Sequence, residues 1–295
     1  MKIATTTEHA AKRFGAEEAI RMIADAGFDC VDFANFSIKD WEKNPVFAPG
    51  WEAYADRLRA VAEEAGVRIH QSHAPFPSNK PETPGNAEYN EIIFDKIEHS
   101  IRFAARLGAQ TVIVHPKKEF PHYGREQYWK DQNMEFYRAL APAAKETGIK
   151  IALENMFIAD PNRKMLTEAP CGDPRELADY LDTLADDCFT ACLDLGHCAI
   201  CGYSVAQAIR ILGADRLGAL HVHDNDCRED NHLPPFAGKQ DWPAVTEALR
   251  EIGYRGVFTL ESDKIFQNTP DVLYPATLRY LHDVARYLAD ASEQG

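Results

Sequence analysis

The sequence predicts a single-domain (β/α)8 barrel, the TIM-barrel architecture of the α/β class, on three observations. Strand-like and helix-like segments alternate eight times along 295 residues, with no linker or low-complexity stretch between them. Helix-to-strand connections are short, whereas the strand-to-helix connections near 36–50, 74–87, 116–132, 156–172 and 225–241 are long. Six of the strand-like segments end on His, Asp or Glu. In a barrel all the long loops lie on one face, where active sites are built. A doubly wound open sheet is the rival, weakened by the count of eight and by the lack of a glycine-rich turn after the first strand.

Taken in order, residues 2–7 read as the first strand, and 16–26 as a helix stopped by Gly27, where a left-handed cap is common. Residues 30–35 are the second strand, and 51–65 a helix ending at Gly66. The third pair is 67–73 with the long helix 88–107, closed by Gly108. The fourth is 111–115 with 133–147, which Pro142 should bend and Gly148 should stop. Strand 150–155 precedes helix 174–184, which Asp173 and Pro174 suit as cap and first residue. The last three pairs are 190–195 with 205–212, 217–224 with 242–252, and 257–261 with 271–289.

Hydrophobic residues make up 45% of the chain, enough for a sizeable core. No apolar run is long enough to span a bilayer, and no signal or transit peptide is read, so the expected setting is cytoplasmic, with no membrane partner. A net charge of −14 disfavours charge-driven binding to nucleic acid or anionic membrane. Seven cysteines without framework spacing fit free thiols in a reducing compartment, and the single C-x-x-C, Cys198 to Cys201, is a weak zinc or redox signal.

The chemistry lies at the strand ends: His73, His115, Glu154, Asp194, His223 and Glu261 close strands three to eight. A buried carboxylate loses several kcal/mol of hydration unless paired or bound to a cation, a cost of order 5 kcal/mol. Glu154, Asp194 and Glu261, converging with His223 from four successive strands, would repel one another without a positive charge. A divalent metal removes the conflict; salt bridges to Lys or Arg at the rim are the alternative for any one of them. Mixed His and carboxylate ligation suits Mn²⁺, Zn²⁺, Co²⁺ or Fe²⁺ better than Mg²⁺ or Ca²⁺. His197 follows Asp194 by three residues, where a turn can swing it over the site. Asp230 and His232, in the loop after strand seven, are candidates for further metal ligands or for binding a substrate oxygen. His221 shares the inward face with His223 and is expected one layer deeper, in a supporting role. Phe36, Trp41, Phe76, Phe120, Tyr123 and Trp129 are candidate walls for a ligand.

These stretches together resemble the xylose isomerase-like TIM-barrel superfamily, and within it the sugar phosphate isomerase/epimerase group. The resemblance rests on Ser72-His73-Ala74-Pro75-Phe76, Val114-His115-Pro116, Leu153-Glu154-Asn155, Cys192 to His197, His221-Val222-His223-Asp224, His232-Leu233-Pro234 and Leu260-Glu261-Ser262, and runs the length of the chain. It implies a metal held by Glu154, Asp194, His223 and Glu261, with both glutamates moving protons as in ketose 3-epimerases. It further implies substrate binding by His197 and, one residue off in spacing, by Arg228. The implied partner is a small sugar or polyol, and relatives are commonly homodimers.

The same superfamily includes AP endonucleases of the endonuclease IV type, whose three-zinc ligand set finds counterparts at His73, His115, Glu154, Asp194, His197, His223, Asp230, His232 and Glu261. Outside the ligands this chain departs from that pattern, with Met156-Phe157-Ile158 and Lys117-Lys118-Glu119 where small residues are expected. The reading is therefore an isomerase or epimerase working through an enediolate. A multi-zinc phosphoester hydrolase and a polyol dehydratase stand as alternatives.

Overall fold

A computed structural model describes residues 1–34 and 41–293. Eight parallel strands form the barrel: β1 (Lys2–Thr6), β2 (Cys30–Phe33), β3 (Arg68–His73), β4 (Thr111–Val114), β5 (Lys150–Glu154), β8 (Phe189–Asp194), β9 (Leu217–His221) and β10 (Val257–Leu260). The ladder runs β10-β1-β2-β3-β4-β5-β8-β9. Between β9 and β10 the ring is joined by one bridge, Val222 to Leu260, with Val222 N–H donating to Thr259 O (2.8 Å) and Glu261 N–H to Val222 O (3.0 Å).

The helices pack outside, their apolar stripes forming one continuous core with the outward faces of the strands. They include α1 (Glu8–Phe14), α2 (Ala16–Asp25), α3 (Trp51–Glu64), α4 (Ala87–Leu107), α5 (Glu126–Thr147), α6 (Pro174–Leu184), α8 (Val205–Arg216), α9 (Trp242–Ile252) and α10 (Tyr274–Ala291). Gly148 and Gly253 sit at helix ends with φ of 74° and 68°, a turn a side chain would resist. Pro142 is accommodated within α5, which begins at Glu126 rather than near residue 133. Among the described residues no helix is long and apolar enough to cross a membrane.

Inside the barrel the packing is layered. Ile113, Ala152, Cys192 and Ala219 form a small apolar layer contributed by β4, β5, β8 and β9. Two residues further along the latter three strands, on the same face, come Glu154, Asp194 and His221. The period of two thus lifts an acidic and imidazole layer directly above an apolar one.

One element was not expected. The loop after β5 carries an antiparallel hairpin, β6 (Phe157–Asp160) and β7 (Met165–Glu168). Asp160 caps its turn, accepting bonds from the backbone N–H of Asn162 (2.8 Å) and Arg163 (3.1 Å).

Candidate active site

Asn155 staples the ends of β5 and β8. Its amide donates to Asp194 O (2.9 Å) and its carbonyl accepts from Asp194 N–H (2.7 Å), which fixes Glu154 and Asp194 relative to each other. The backbone N–H of His197 donates to Asp194 Oδ1 (2.7 Å), capping the short helix α7 (Leu195–Ile200). That turn carries His197 back over the site. Beyond β9, Asp224 anchors the following loop: its buried carboxylate accepts from the N–H groups of Asn225, Phe236 and Gln240 and from Trp242 Nε1 (3.0 Å).

Among the described residues four groups of ligand-type atoms gather in the barrel, one of them Glu154, Cys192 and His221, and the other three meet at the C-terminal mouth. In the first, Glu154, Asp194, His221 and Glu261 bring one atom each within 4.8 Å of the others. His221 Nδ1 lies 2.9 Å from Glu154 Oε1, 3.1 Å from Glu261 Oε2 and 4.0 Å from Asp194 Oδ2. In the second, His115 Nε2 is 2.8 Å and His73 Nε2 3.6 Å from Glu154 Oε2, with the two ring nitrogens 3.1 Å apart. In the third, His197, His223 and His232 surround Asp230. His197 Nε2 and His223 Nε2 each lie 3.8 Å from Asp230 Oδ1, and His232 Nε2 lies 3.0 Å from Oδ2.

The histidine tautomers follow from their outer contacts. Nδ1 of His73, His197, His223 and His232 faces the backbone carbonyls of Ala74 (2.8 Å), Asn155 (3.0 Å), Asp224 (3.4 Å) and Glu261 (2.7 Å). A carbonyl accepts only, so Nδ1 carries a proton; a cationic ring also donates from Nε2, as His223 does to Asp194, and a neutral ring turns the Nε2 lone pair inward. His221 instead turns Nδ1 toward the carboxylates of Glu154 and Glu261.

The donor set fits cations on an independent ground. Glu154 Oε2 and Asp230 Oδ1 are buried without a satisfactory hydrogen bond, even though His115 approaches Glu154 Oε2 closely. Each orphan oxygen sits where imidazole nitrogens converge. Such an atom costs about 1–3 kcal/mol if nothing binds it.

Electrostatics separate the two glutamates. Burial alone would raise the Glu154 pKa, but the charges of His221 and His115 outweigh it and hold the carboxyl well below its usual range. Burial pushes Glu261 up to about 7, against the pull of His221 and His232. His115 is pushed down to about 4 by burial, with Glu154 opposing. For His232, burial lowers the pKa, but the bond to Asp230 prevails and lifts it to about 11.

The geometry redistributes the expected residues. His221 meets Glu154 and Glu261, while His223 meets Asp194 and stacks on His232 with centroids 4.3 Å apart. His223 remains 3.0 Å from Asp194 and so adjoins both groups. His221 also groups with Glu154 and with Cys192 of the apolar layer beneath. Arg228 is exposed on the loop and does not line the cavity.

A cavity of about 1180 Å³ opens above the groups. Trp41, Phe76, Met156 and Phe157 line it. Phe120, Tyr123 and Trp129 do not, Tyr123 being 90% exposed and Trp129 packed inside, while Phe36 falls outside the described residues. Lys118, which no sequence motif marked, also lines the cavity. Its ammonium donates to Phe157 O (2.6 Å), and burial lowers its pKa to about 8, with Glu154 opposing.

Fold and site together define an α/β barrel whose mouth gathers histidines and carboxylates into groups with the composition of metal ligands. The sequence family described as the xylose isomerase-like TIM barrel matches residues 20–284, and the chain belongs to that family. An uncharacterised protein of Methanocaldococcus jannaschii is 29% identical over 198 residues, spanning 65% of this chain and 64% of that protein. A D-psicose 3-epimerase of Ruminiclostridium cellulolyticum is 24% identical over 251 residues, spanning 82% of this chain and 76% of the epimerase. Among solved structures, a D-psicose 3-epimerase crystallised in the presence of D-fructose superposes with a TM-score of 0.73 at 16% identity, over 98% of this chain and 99% of that one.

Proposed function

We propose that this chain is a divalent-metal-dependent isomerase or epimerase of a sugar or related polyol, acting by proton transfer next to a carbonyl. The observation that carries the reading is the placement of Glu154 and Glu261, about 3 Å to either side of the same His221 nitrogen, with separated pKa values, on the floor of the cavity. The likeness to ketose 3-epimerases supports it.

Glu154, Asp194, His223 and Glu261 would hold the cation, with His221 beside the two glutamates, and the cation would supply Lewis acidity toward a carbonyl oxygen. One glutamate takes the proton beside the carbonyl, and the other returns a proton to the opposite face or the adjacent carbon. Lys118, with two N–H donors left after its bond to Phe157 O, holds a substrate oxygen. His73 and His197 offer further polar contacts, and Phe76, Met156 and Phe157 exclude water from the reacting carbons.

The test is a screen of ketoses and ketose phosphates against metal-stripped protein with Mn²⁺, Co²⁺, Mg²⁺ or Zn²⁺ returned. Glu154→Gln and Glu261→Gln should each abolish turnover of whichever sugar reacts; unchanged turnover in either variant would end the scheme.

A second reading is favoured by the three ligand groups: metal-assisted phosphoester hydrolysis with two or three zinc ions. Metal analysis of protein purified without added metal separates the two. One exchangeable ion per chain favours the isomerase; two or three tight zinc ions, with phosphodiesterase activity, favour the hydrolase.

A further inference from the structure

The cavity has two unlike halves. Asp194 closes β8, and His223 follows β9. In the ring of strands β2 stands four places from β8, and β3 four from β9, so whatever follows β2 and β3 forms the wall across from those residues. That wall is largely apolar. It presents Trp41, in the turn after β2, Phe76 and Pro77, after β3, and Tyr89 and Ile92, on the first two turns of α4.

Phe76 joins the halves. Its ring centroid lies 5.1 Å from that of His73 and 4.9 Å from that of His115, yet the residue is 52% exposed. Apolar surface left uncovered inside a cavity is surface a ligand can remove from water. The wall is also preformed. Lys96 Nζ stands 3.5 Å from the Trp41 ring centroid, and Lys80 Nζ 3.9 Å from that of Tyr89. The Tyr89 hydroxyl donates to Pro77 O (2.6 Å). The Asn90 amide clamps the Lys80 backbone, accepting from its N–H and donating to its carbonyl (2.9 Å each). These bonds tie the loop after β3 to α4, so a ligand meets rings already in place.

A free ketose carries an oxygen on every carbon and would leave this wall uncovered. Phe76, Pro77 and Ile92 have no polar side-chain atom to offer it, and the Tyr89 proton is already given. A flat apolar group suits the wall, because aromatic rings gain from offset and edge contacts beyond the area they bury. The volume of about 1180 Å³ holds such a group beside a sugar, since pockets of about 300–1,000 Å³ already enclose drug-sized ligands.

We infer that the cavity takes a glycoside: the sugar ring lies over the histidines and carboxylates, and a planar apolar aglycone lies against Trp41, Phe76, Pro77, Tyr89 and Ile92. This rests on the proposed sugar reading of the floor.

The test is calorimetric binding to the full chain with Mn²⁺ returned, which needs no turnover. Methyl and phenyl β-D-glucopyranosides, and the corresponding galactopyranosides, differ within each pair only in the aglycone. The phenyl member of a pair should bind about tenfold tighter or more, the gain from burying one aromatic ring against others. Trp41→Ala should lower that ratio by about threefold or more, and Trp41→Phe, which keeps a ring, should preserve most of it. The p-nitrophenyl glucoside should quench wild-type tryptophan emission, and most of the quench should vanish in Trp41→Phe while binding persists. A wall that only excludes water would show neither effect.

The wild-type ratio does not depend on how the variants fold. A phenyl preference within about threefold in both pairs, absence of binding included, would overturn the inference. Cellobiose binding more tightly than the phenyl glucoside would also overturn it, giving the wall to a second sugar ring. Turnover of free ketoses without a phenyl preference would sink this inference and keep the isomerase reading; a phenyl preference with no sugar turned over would do the reverse.

Discussion

Replacing Gly196 by alanine should do damage that helix propensity alone would not foresee. Gly196 has ordinary backbone angles in α7, so an added methyl would by itself stabilise the helix by about 0.5–1 kcal/mol. The structure reverses the sign. A Cβ at this position would fall 1.9 Å from His223 Cε1, 2.4 Å from Nε2 and 2.6 Å from Nδ1. The ring must move by well over 1 Å, and it is not free to do so. Its Nε2 contacts both Asp194 oxygens (3.0 and 3.1 Å), one face is covered by His232, and it is fully buried.

Overpacking of this kind costs about 1–3 kcal/mol, and loss of a hydrogen bond to a charged group about 1.5–3 kcal/mol more. We expect Gly196→Ala to lose about 3 kcal/mol or more, seen as a fall of about 1 M or more in the urea midpoint. Gly85→Ala is the control, because a Cβ there meets nothing within 4 Å; it should stay within about 0.5 kcal/mol of wild type. Equal midpoints for the two variants would show that His223 is not pinned as described.

Three further outcomes can be checked. In metal-free protein, the raised pKa of Glu261 means that the folded state keeps a proton the unfolded state has released, so its contribution to stability falls as pH rises from about 4.5 to about 7. The stability of wild type relative to Glu261→Gln should therefore drop across that window, by up to about 3 kcal/mol, and level off above it; a flat difference would refute the assignment. Trp242→Phe removes a donor to the buried Asp224 carboxylate and should lower urea-measured stability by about 1.5–3 kcal/mol. For a reacting sugar, Lys118→Met should raise KM by about tenfold or more, through loss of a charged hydrogen bond; unchanged kinetics would place the ammonium outside the substrate path.

The sequence carried the barrel well because its two periods are local: strand alternation and glycine-stopped helices leave marks within a few residues. The strand-end residues were legible for the same reason. Depth was not. Alternation puts His221 and His223 on one face but cannot say which stands level with Glu154. That depends on the pairing of Asp194 with His221, set by a register shift between Ala191 and Cys192. Lys118 was missed. Lys118 looks like any loop lysine until Phe157 is folded beside it. The hairpin β6–β7 was signalled by the turn residues Asp160-Pro161-Asn162.

Glu154 belongs to the Asp194 group through one oxygen and to the His73–His115 group through the other. The two are therefore unequal targets for evolutionary change. Descendants can lose or rebuild the His73–His115 arm by altering those imidazoles alone, leaving the neighbouring centre standing. Exchange of Glu154 severs both at once, so its substitutions should be strongly epistatic with those at either arm, and lineages that diversify their chemistry should do so from the histidine side.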